Sequence, residues 1–197
     1  NQVDEKFFMS KKEDEEYYCA LGRLVEQKNY PMMIKVFSKF VSKYPSEKLY
    51  IYGEGILKKE LQKLIKIQGM ENNIFLKGLT SNPQDILARA KGFIITSDYE
   101  GMPNTLLEAM AVGIPVIATD CPCGGPKMVI KNDENGILIP VGDEEALFKA
   151  LVKVENDKIF RKKIGGKARM YANCYRPDII FEEWEDIVKK VTVQRGK

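Results

Sequence analysis

Histidine is absent from this chain of 197 residues. That absence excludes a Ser-His-Asp or Cys-His catalytic group and any zinc site built on imidazole. Cysteine is scarce as well. Cys19, Cys121, Cys123 and Cys174 are too few to staple a chain of this length, and Cys121 and Cys123 are spaced C-x-C rather than C-x-x-C. Free intracellular thiols and no metal site are expected. No apolar run approaches the roughly eighteen residues of a membrane-spanning helix, and the polar opening NQVDEKFFMSKKEDEE has no signal-peptide core. Internal repeats and low-complexity segments are missing too. The first residue is Asn1 rather than methionine, which suggests a piece or processed product of a longer protein.

What is present is an ordinary globular composition. Lys and Arg number 31 against 28 Asp and Glu, a net charge of +3, with both signs well mixed. This gives no electrostatic case for a nucleic-acid partner. With 44% hydrophobic residues the chain can build a core. At this length a domain buries roughly seventy per cent of the surface of its unfolded form, so no staples are needed. One large domain or two small ones are expected.

After the acidic opening, short apolar runs alternate with longer helical ones. The predicted strands are 17–21, 48–52, 73–77, 92–96, 115–119 and 136–139, each bounded by Gly, Pro or Asn. Between them the period becomes helical: Met33, Phe37, Phe40 and Tyr44 share one face, and Leu57, Leu61, Leu64 and Ile65 another. Asn82-Pro83 predicts an N-cap and first helical residue for a helix ending near Ala90, and Gly69 and Gly113 read as helix stops. Three helices close the chain, around 144–155, 157–173 and 178–192. The last carries Ile180, Trp184, Ile187, Val188 and Val191 on one stripe, expected to pack on the domain, with partial exposure toward a missing partner as the alternative. The alternation predicts an α/β fold: a Rossmann-like, doubly wound parallel sheet of about six strands with helices on both faces. Ligands of such sheets bind beyond the carboxyl ends of the strands.

The loop after the fourth strand is the most informative, Ser97 to Glu108 (SDYEGMPNTLLE). Gly101 permits close backbone approach, Pro103 is suited to open a helix, and the first N–H groups, at Asn104 and Thr105, form an anion site. Glu108 lies roughly 7–8 Å into that helix, within reach of a sugar ring beside an anion at its start. Glu100 lies on the other side. Two carboxylates flanking an anion site suit a diphosphate with a polyol at each end, because carboxylates accept the hydrogen bonds that vicinal diols donate. Arg23 and Lys28, beside Gly22 after the first strand, could neutralise a diphosphate without a metal. No D-x-D pair, the usual sign of a metal-bridged sugar nucleotide, occurs. Gly53-Glu54-Gly55 lacks the third glycine of a dinucleotide fingerprint, which removes an NAD-dependent oxidoreductase. It is either a tight turn or part of a phosphate cleft. The Cys121-to-Pro126 segment is either a backbone anion nest or a turn.

The run EGMPNTLLEAMAVGIPVIATD resembles the E-x7-E motif of retaining glycosyltransferases of family 4, which have the GT-B fold. The likeness extends through GRLVEQKN, YIYGEG, FLKGL and GILIPVGDEEAL, and the opening NQVD is similar to the N-P-x-D turn of the family's interdomain segment, with Gln2 in place of Pro. The resemblance implies that residues 1–16 are an interdomain segment and 17–197 the donor-binding domain of a two-domain enzyme. It implies catalytic roles for Glu100, Arg23 and Lys28. Arg23 and Lys28 would hold the diphosphate, Glu108 the ribose diol, and Glu100 hydroxyls of the transferred sugar. Gly101, Met102, Pro103, Asn104 and Thr105 would line the phosphates and sugar, Lys77, Gly78 and Leu79 would face the base, and Gly22 and Gly53 would line the cleft.

The implied reaction is retaining transfer of a hexose or N-acetylhexosamine from a nucleoside-diphosphate sugar, a UDP-sugar above all, to a glycan or lipid-linked glycan. No cofactor or metal is implied. The acceptor would be held by an N-terminal domain, without which this chain would turn over little. The whole enzyme would be cytoplasmic, with peripheral membrane association at the inner face. The rivals are a GT-B sugar-nucleotide epimerase and a non-catalytic nucleotide-sugar-binding module.

Overall fold

The computed structural model describes residues 1–10 and 17–195, the side chains from Val191 onward excepted. Six parallel strands form one sheet: β1 (Tyr17–Leu21), β2 (Leu49–Tyr52), β3 (Ile74–Gly78), β4 (Ala90–Ile95), β5 (Val116–Thr119) and β6 (Ile137–Ile139). Their order across the sheet is β3-β2-β1-β4-β5-β6. The order therefore reverses between β1 and β4, which pair at Tyr17–Ala90, Tyr18–Gly92 and Cys19–Phe93. At such a switch point the loops leaving two neighbouring strands diverge to opposite faces and open a crevice.

Helices cover both faces, as expected. Alternation along β1 explains how. Tyr18 and Ala20 point into a core with α2 (Tyr30–Lys43), α3 (Lys58–Ile67) and α7 (Glu144–Asn156). Tyr17 and Cys19 point into a second core with α1 (Glu5–Met9), α4 (Pro83–Ala88), α5 (Asn104–Val112), α6 (Gly125–Val129) and α8 (Lys158–Ala172). β4 is buried along its whole length, which is why its sequence, Lys91 apart, is an apolar run rather than an alternation. The α2 face anchored by Met33, Phe37 and Phe40 is buried as its period predicts. Val3, Phe7 and Phe8 of the opening segment are buried in the second core.

Two local expectations differ. The helix opened by Pro83 stops at Ala88, since Ala90 already pairs with Tyr17 in the sheet. Asn82 makes no side-chain cap there; instead its N–H donates to Thr80 Oγ1 at 3.1 Å. The closing helix α9 (Pro177–Arg195) does not pack its stripe on the domain. Trp184 is 63% exposed and Ile187 51%. Past the extended Arg176 (ψ 146°) the helix leaves the layer formed by α8, so its apolar face meets no described core. The stripe's Val191 lies outside the described side chains. Among the described residues, no helix is long and apolar enough to cross a membrane.

At the amino-terminal edge of the sheet, remote from the switch-point crevice, Lys91 of β4 sits between two carboxylates. Its Nζ lies 2.6 Å from Glu47 Oε2 and 3.1 Å from Glu155 Oε2. The hydroxyl of Tyr18 donates to Glu155 Oε2 at 2.9 Å. Burial first, and the Glu155 charge second, hold that phenol protonated well above its ordinary range.

Candidate functional site

The crevice between β1 and β4 is where the predicted residues gather. A cleft of about 310 Å³ is lined by Gly22 and Arg23 after β1, Tyr52, Gly53 and Glu54 after β2, Leu79 and Thr80 after β3, and Thr105 and Glu108 of α5. Six candidates meet there, drawn from four separate strand–helix connections. Arg23 is exposed at the rim, whereas Glu108 is half-buried. Burial lifts the Glu108 carboxyl above its ordinary range; nearby Lys6 pulls it down and Asp4 adds to the rise. A desolvated carboxylate of this kind gains more from hydrogen-bond donors than an exposed one does.

Close backbone contact shapes the cleft. Gly53 has φ +144°, and a Cβ there would stand 1.9 Å from the carbonyl oxygen of Gly22. Its N–H donates to the carbonyl of Gly78 at 2.8 Å, and Gly78 itself has φ +74°. The Gly53 turn therefore draws the β1, β2 and β3 loops together and lines the cleft, so it is the tight turn of its first reading.

Lys28 and Glu100 sit apart from Arg23 and Glu108. Glu100 is buried, and its Oε1 accepts hydrogen bonds from Lys28 Nζ and from Ser97 Oγ, the latter at 2.7 Å. A cation and a carboxylate expected to contact different parts of one ligand are thus partners of each other. Lys28 also lines a small cavity beside Thr105 and Leu21, the latter two shared with the larger cleft. The two charge groups therefore stand on either side of the α5 start.

Side chains that the sequence reading passed over hold this arrangement. Thr96 Oγ1 donates to the carbonyls of Lys28 and Asn29 at 2.9 and 3.1 Å. Asn29, in the left-handed conformation (φ 45°), caps α2 and donates to Asp98 Oδ1 at 2.9 Å. Gln27 Nε2 donates to the carbonyl of Tyr99 at 2.8 Å, and the Asp98 N–H to the carbonyl of Gln27 at 2.9 Å. These bonds stitch the loop after β1 to the loop after β4 along the crevice. The signal available in sequence was the polar cluster Thr96-Ser97-Asp98 directly after a buried strand. Burial forces such groups to find partners, but the cluster does not say which.

The start of α5 is packed from two sides. Asn1 Nδ2 donates to Asn104 Oδ1 at 2.8 Å and to the carbonyl of Met102 at 3.3 Å. Pro103 is the N-cap residue, buried and without a side-chain cap bond. The first N–H groups of the helix therefore have no intrahelical acceptor and face the crevice end of the sheet. Gly101 is exposed, with open space where its Cβ would be. Gly125 is tightly packed against it: its Cβ would stand 1.3 Å from the Gly101 carbonyl oxygen. The glycine-rich segment at 121–126 is thus a turn packed against the Glu100–Gly101 loop. Gly124 (φ +78°) precedes the short helix α6.

A reversed-order parallel sheet with this cleft at its switch point is a Rossmann-like fold, and solved structures identify it as one half of the GT-B glycosyltransferase fold. Staphylococcus aureus TarM, solved in complex with UDP among other ligands, superposes with a TM-score of 0.82 at 32% identity over 89% of this chain and 36% of its own. The pneumococcal O-GlcNAc transferase GtfA, solved with UDP and GlcNAc, shares the fold with a TM-score of 0.86 at 22% identity, over 98% of this chain and 39% of its own. The family described as Glycosyl transferases group 1 matches residues 2–171, and the chain belongs to it. The poly(ribitol-phosphate) α-N-acetylglucosaminyltransferase of Staphylococcus aureus is 33% identical over 83% of this chain and 33% of its own length. An N-acetylgalactosaminyltransferase of Campylobacter jejuni, named for a diphospho-undecaprenol-linked substrate, is 32% identical over 82% of this chain and 43% of its own. The chain thus spans less than half the length of either relative.

Proposed function

We propose that this chain is the donor-binding half of a retaining family 4 glycosyltransferase. It would act with a separate acceptor-binding domain to transfer a hexose or N-acetylhexosamine from a UDP-sugar to a glycan or lipid-linked glycan. The observation that carries the reading is the convergence of Arg23, Gly53, Glu108 and the α5 start on one cleft, with Lys28 and Glu100 at its flank. The UDP complexes of TarM and GtfA and the names of the sequence relatives support the donor and acceptor classes.

In this reading Glu108 accepts hydrogen bonds from the ribose diol, and the α5 start together with Arg23 faces the diphosphate. Lys28 exchanges part of its contact with Glu100 for a phosphate oxygen. Glu100 then offers its carboxylate to hydroxyls of the sugar. Departure of the diphosphate leaves negative charge beside the helix start, Arg23 and the redirected Lys28, which would stabilise it electrostatically. Retention follows from the family resemblance. Catalysis needs the acceptor domain, and turnover by the 197-residue chain alone in a clean assay would overturn the half-enzyme reading.

UDP or a UDP-sugar is expected to shift the amide resonances of residues 100–108 and those near Arg23. A titration with UDP, GDP and ADP sugars that moves none of them sinks the proposal. Glu108→Ala is expected to weaken UDP itself by about ten- to hundredfold, the worth of a charge-assisted pair of hydrogen bonds. Glu100→Ala is expected to weaken mainly the sugar-bearing nucleotide. Equal losses for both ligands in both variants would refute the division of roles.

A further inference from the structure

Glu100 is held asymmetrically. Both of its protein donors, Lys28 Nζ and Ser97 Oγ, reach the same oxygen, Oε1. Among the described residues no donor bonds Oε2. The two donors differ in kind. The Lys28 ammonium ends a flexible stem and, in the reading above, is shared with a phosphate. Ser97 is fully buried, and its hydroxyl proton goes to Oε1. Its own backbone is clamped: the Ser97 carbonyl accepts from Thr119 Oγ1 at 2.5 Å and from Cys121 Sγ at 3.2 Å. Thr119 is also fully buried. The hydroxyl therefore has a fixed origin at the end of β4 and a fixed target three residues on.

A buried serine needs only some acceptor, and backbone carbonyls are the common choice. Here the acceptor is a carboxylate, the one group whose orientation decides which ligand hydroxyls it can receive. A carboxylate held by lysine alone would follow the lysine as that cation turns to a phosphate. A second, immobile donor on the same oxygen keeps the carboxylate plane in place through that exchange and leaves Oε2 directed elsewhere.

We propose that Ser97 is a specificity-determining positioning residue: its hydroxyl fixes the Glu100 carboxylate so that Oε2 is the oxygen offered to a hydroxyl of the donor's sugar. Thr119 and Cys121 serve it by fixing the Ser97 carbonyl. The inference rests on the donor-site reading, and its tests separate the two.

Calorimetric titration of the 197-residue chain with UDP, UDP-N-acetylglucosamine and UDP-glucose gives the first test. In Ser97→Ala the affinity for UDP stays within about twofold, while the extra affinity conferred by the sugar falls about tenfold, the worth of one hydrogen bond to a charged group. Ser97→Cys, close in size and a weaker donor, falls between, and it carries the comparison by itself if the alanine variant does not fold. Equal weakening of UDP and both UDP-sugars marks a merely structural serine and overturns the proposal, as does an unchanged sugar contribution.

Crystal structures of the wild type and the variant, each without nucleotide and with UDP bound, give the second test. The Glu100 carboxylate is expected in one orientation in the wild type and rotated or split over several in the variant. An unmoved carboxylate overturns the proposal whatever the nucleotide data. Failure of the wild type to bind UDP and both UDP-sugars overturns the donor-site reading, and the crystallographic comparison then decides the positioning claim by itself.

Discussion

Gly125→Ala is expected to destabilise the chain by about 3 kcal/mol, at the upper end of ordinary overpacking. The Cβ would stand 1.3 Å from the carbonyl oxygen of Gly101, and a backbone carbonyl cannot rotate out of the way as a side-chain end can. Either the 121–126 turn or the 97–103 loop must move by ångströms. Because Glu100 and the α5 start lie on the second of these, the sugar-nucleotide affinity is expected to fall along with stability. Gly101→Ala is the control, since its Cβ meets nothing within 4 Å and its φ is not left-handed. It should leave stability nearly unchanged. Urea unfolding of both variants checks the pair, and a Gly125→Ala chain as stable as Gly101→Ala would contradict the packing described.

Lys91→Met is expected to cost about 3–5 kcal/mol, the usual loss when one partner of a buried ion pair is removed and the other stays charged. Here two carboxylates stay behind. Glu47 and Glu155 both approach the ammonium, and the side-chain exposures at the Lys91–Glu47 contact are only 11% and 10%. Their mutual repulsion adds to the desolvation that Lys91 offsets. The triple variant Lys91→Met, Glu47→Gln, Glu155→Gln should recover part of the loss by removing both stranded charges. Nucleotide binding should be unaffected in the folded fraction, because Lys91 lies four residues, about 13 Å at the extended-strand rise, from the carboxyl end of β4. Chemical denaturation of the single and triple variants, with UDP titration below the transition, tests both halves. A single variant as stable as the wild type would mean the carboxylates are hydrated.

The charge clusters at the two ends of β4 are built for different ends. Lys91 is satisfied on all sides by fixed partners, so it contributes stability and little else. Lys28 and Glu100 bond each other yet retain capacity, with Oε2 receiving no described donor and the ammonium able to donate three bonds. Reserve capacity at the carboxyl edge of a parallel sheet is what the proposed donor site requires, whereas the cluster at the amino edge has its partners within the fold.

The fold was legible in the residues because its signals are local. Runs such as Gly92–Thr96 and Pro115–Thr119 announce buried strands, and the face of Met33, Phe37 and Phe40 announces a covering helix, from spacing alone. Strand limits moved by one or two residues: β4 begins at Ala90, where the paired neighbour Tyr17 extends the ladder. Glu108, Thr105 and the α5 start were legible for the same reason, since one helix places them. The exposed stripe of α9 follows the less favoured of its two readings, because a helical period shows that a face is apolar, not that a layer exists to cover it.

The sequence by itself determined an alternating parallel α/β domain, and it determined that residues 97–108 form a glycine–proline turn into a helix carrying a carboxylate. Tertiary structure alone decided that Lys28 bonds Glu100, 72 residues away, and that Gly125 abuts Gly101. It likewise decided that Asn1 bonds the α5 start and that the Ser97 hydroxyl donates to the Glu100 carboxylate. The physical reason is the strand order. Periodicity and turn chemistry depend on neighbours a few residues apart, whereas these contacts exist because β4 inserts beside β1, with β5 next to it. That adjacency is set by how the two apolar faces of the whole sheet are covered, and no single segment carries it.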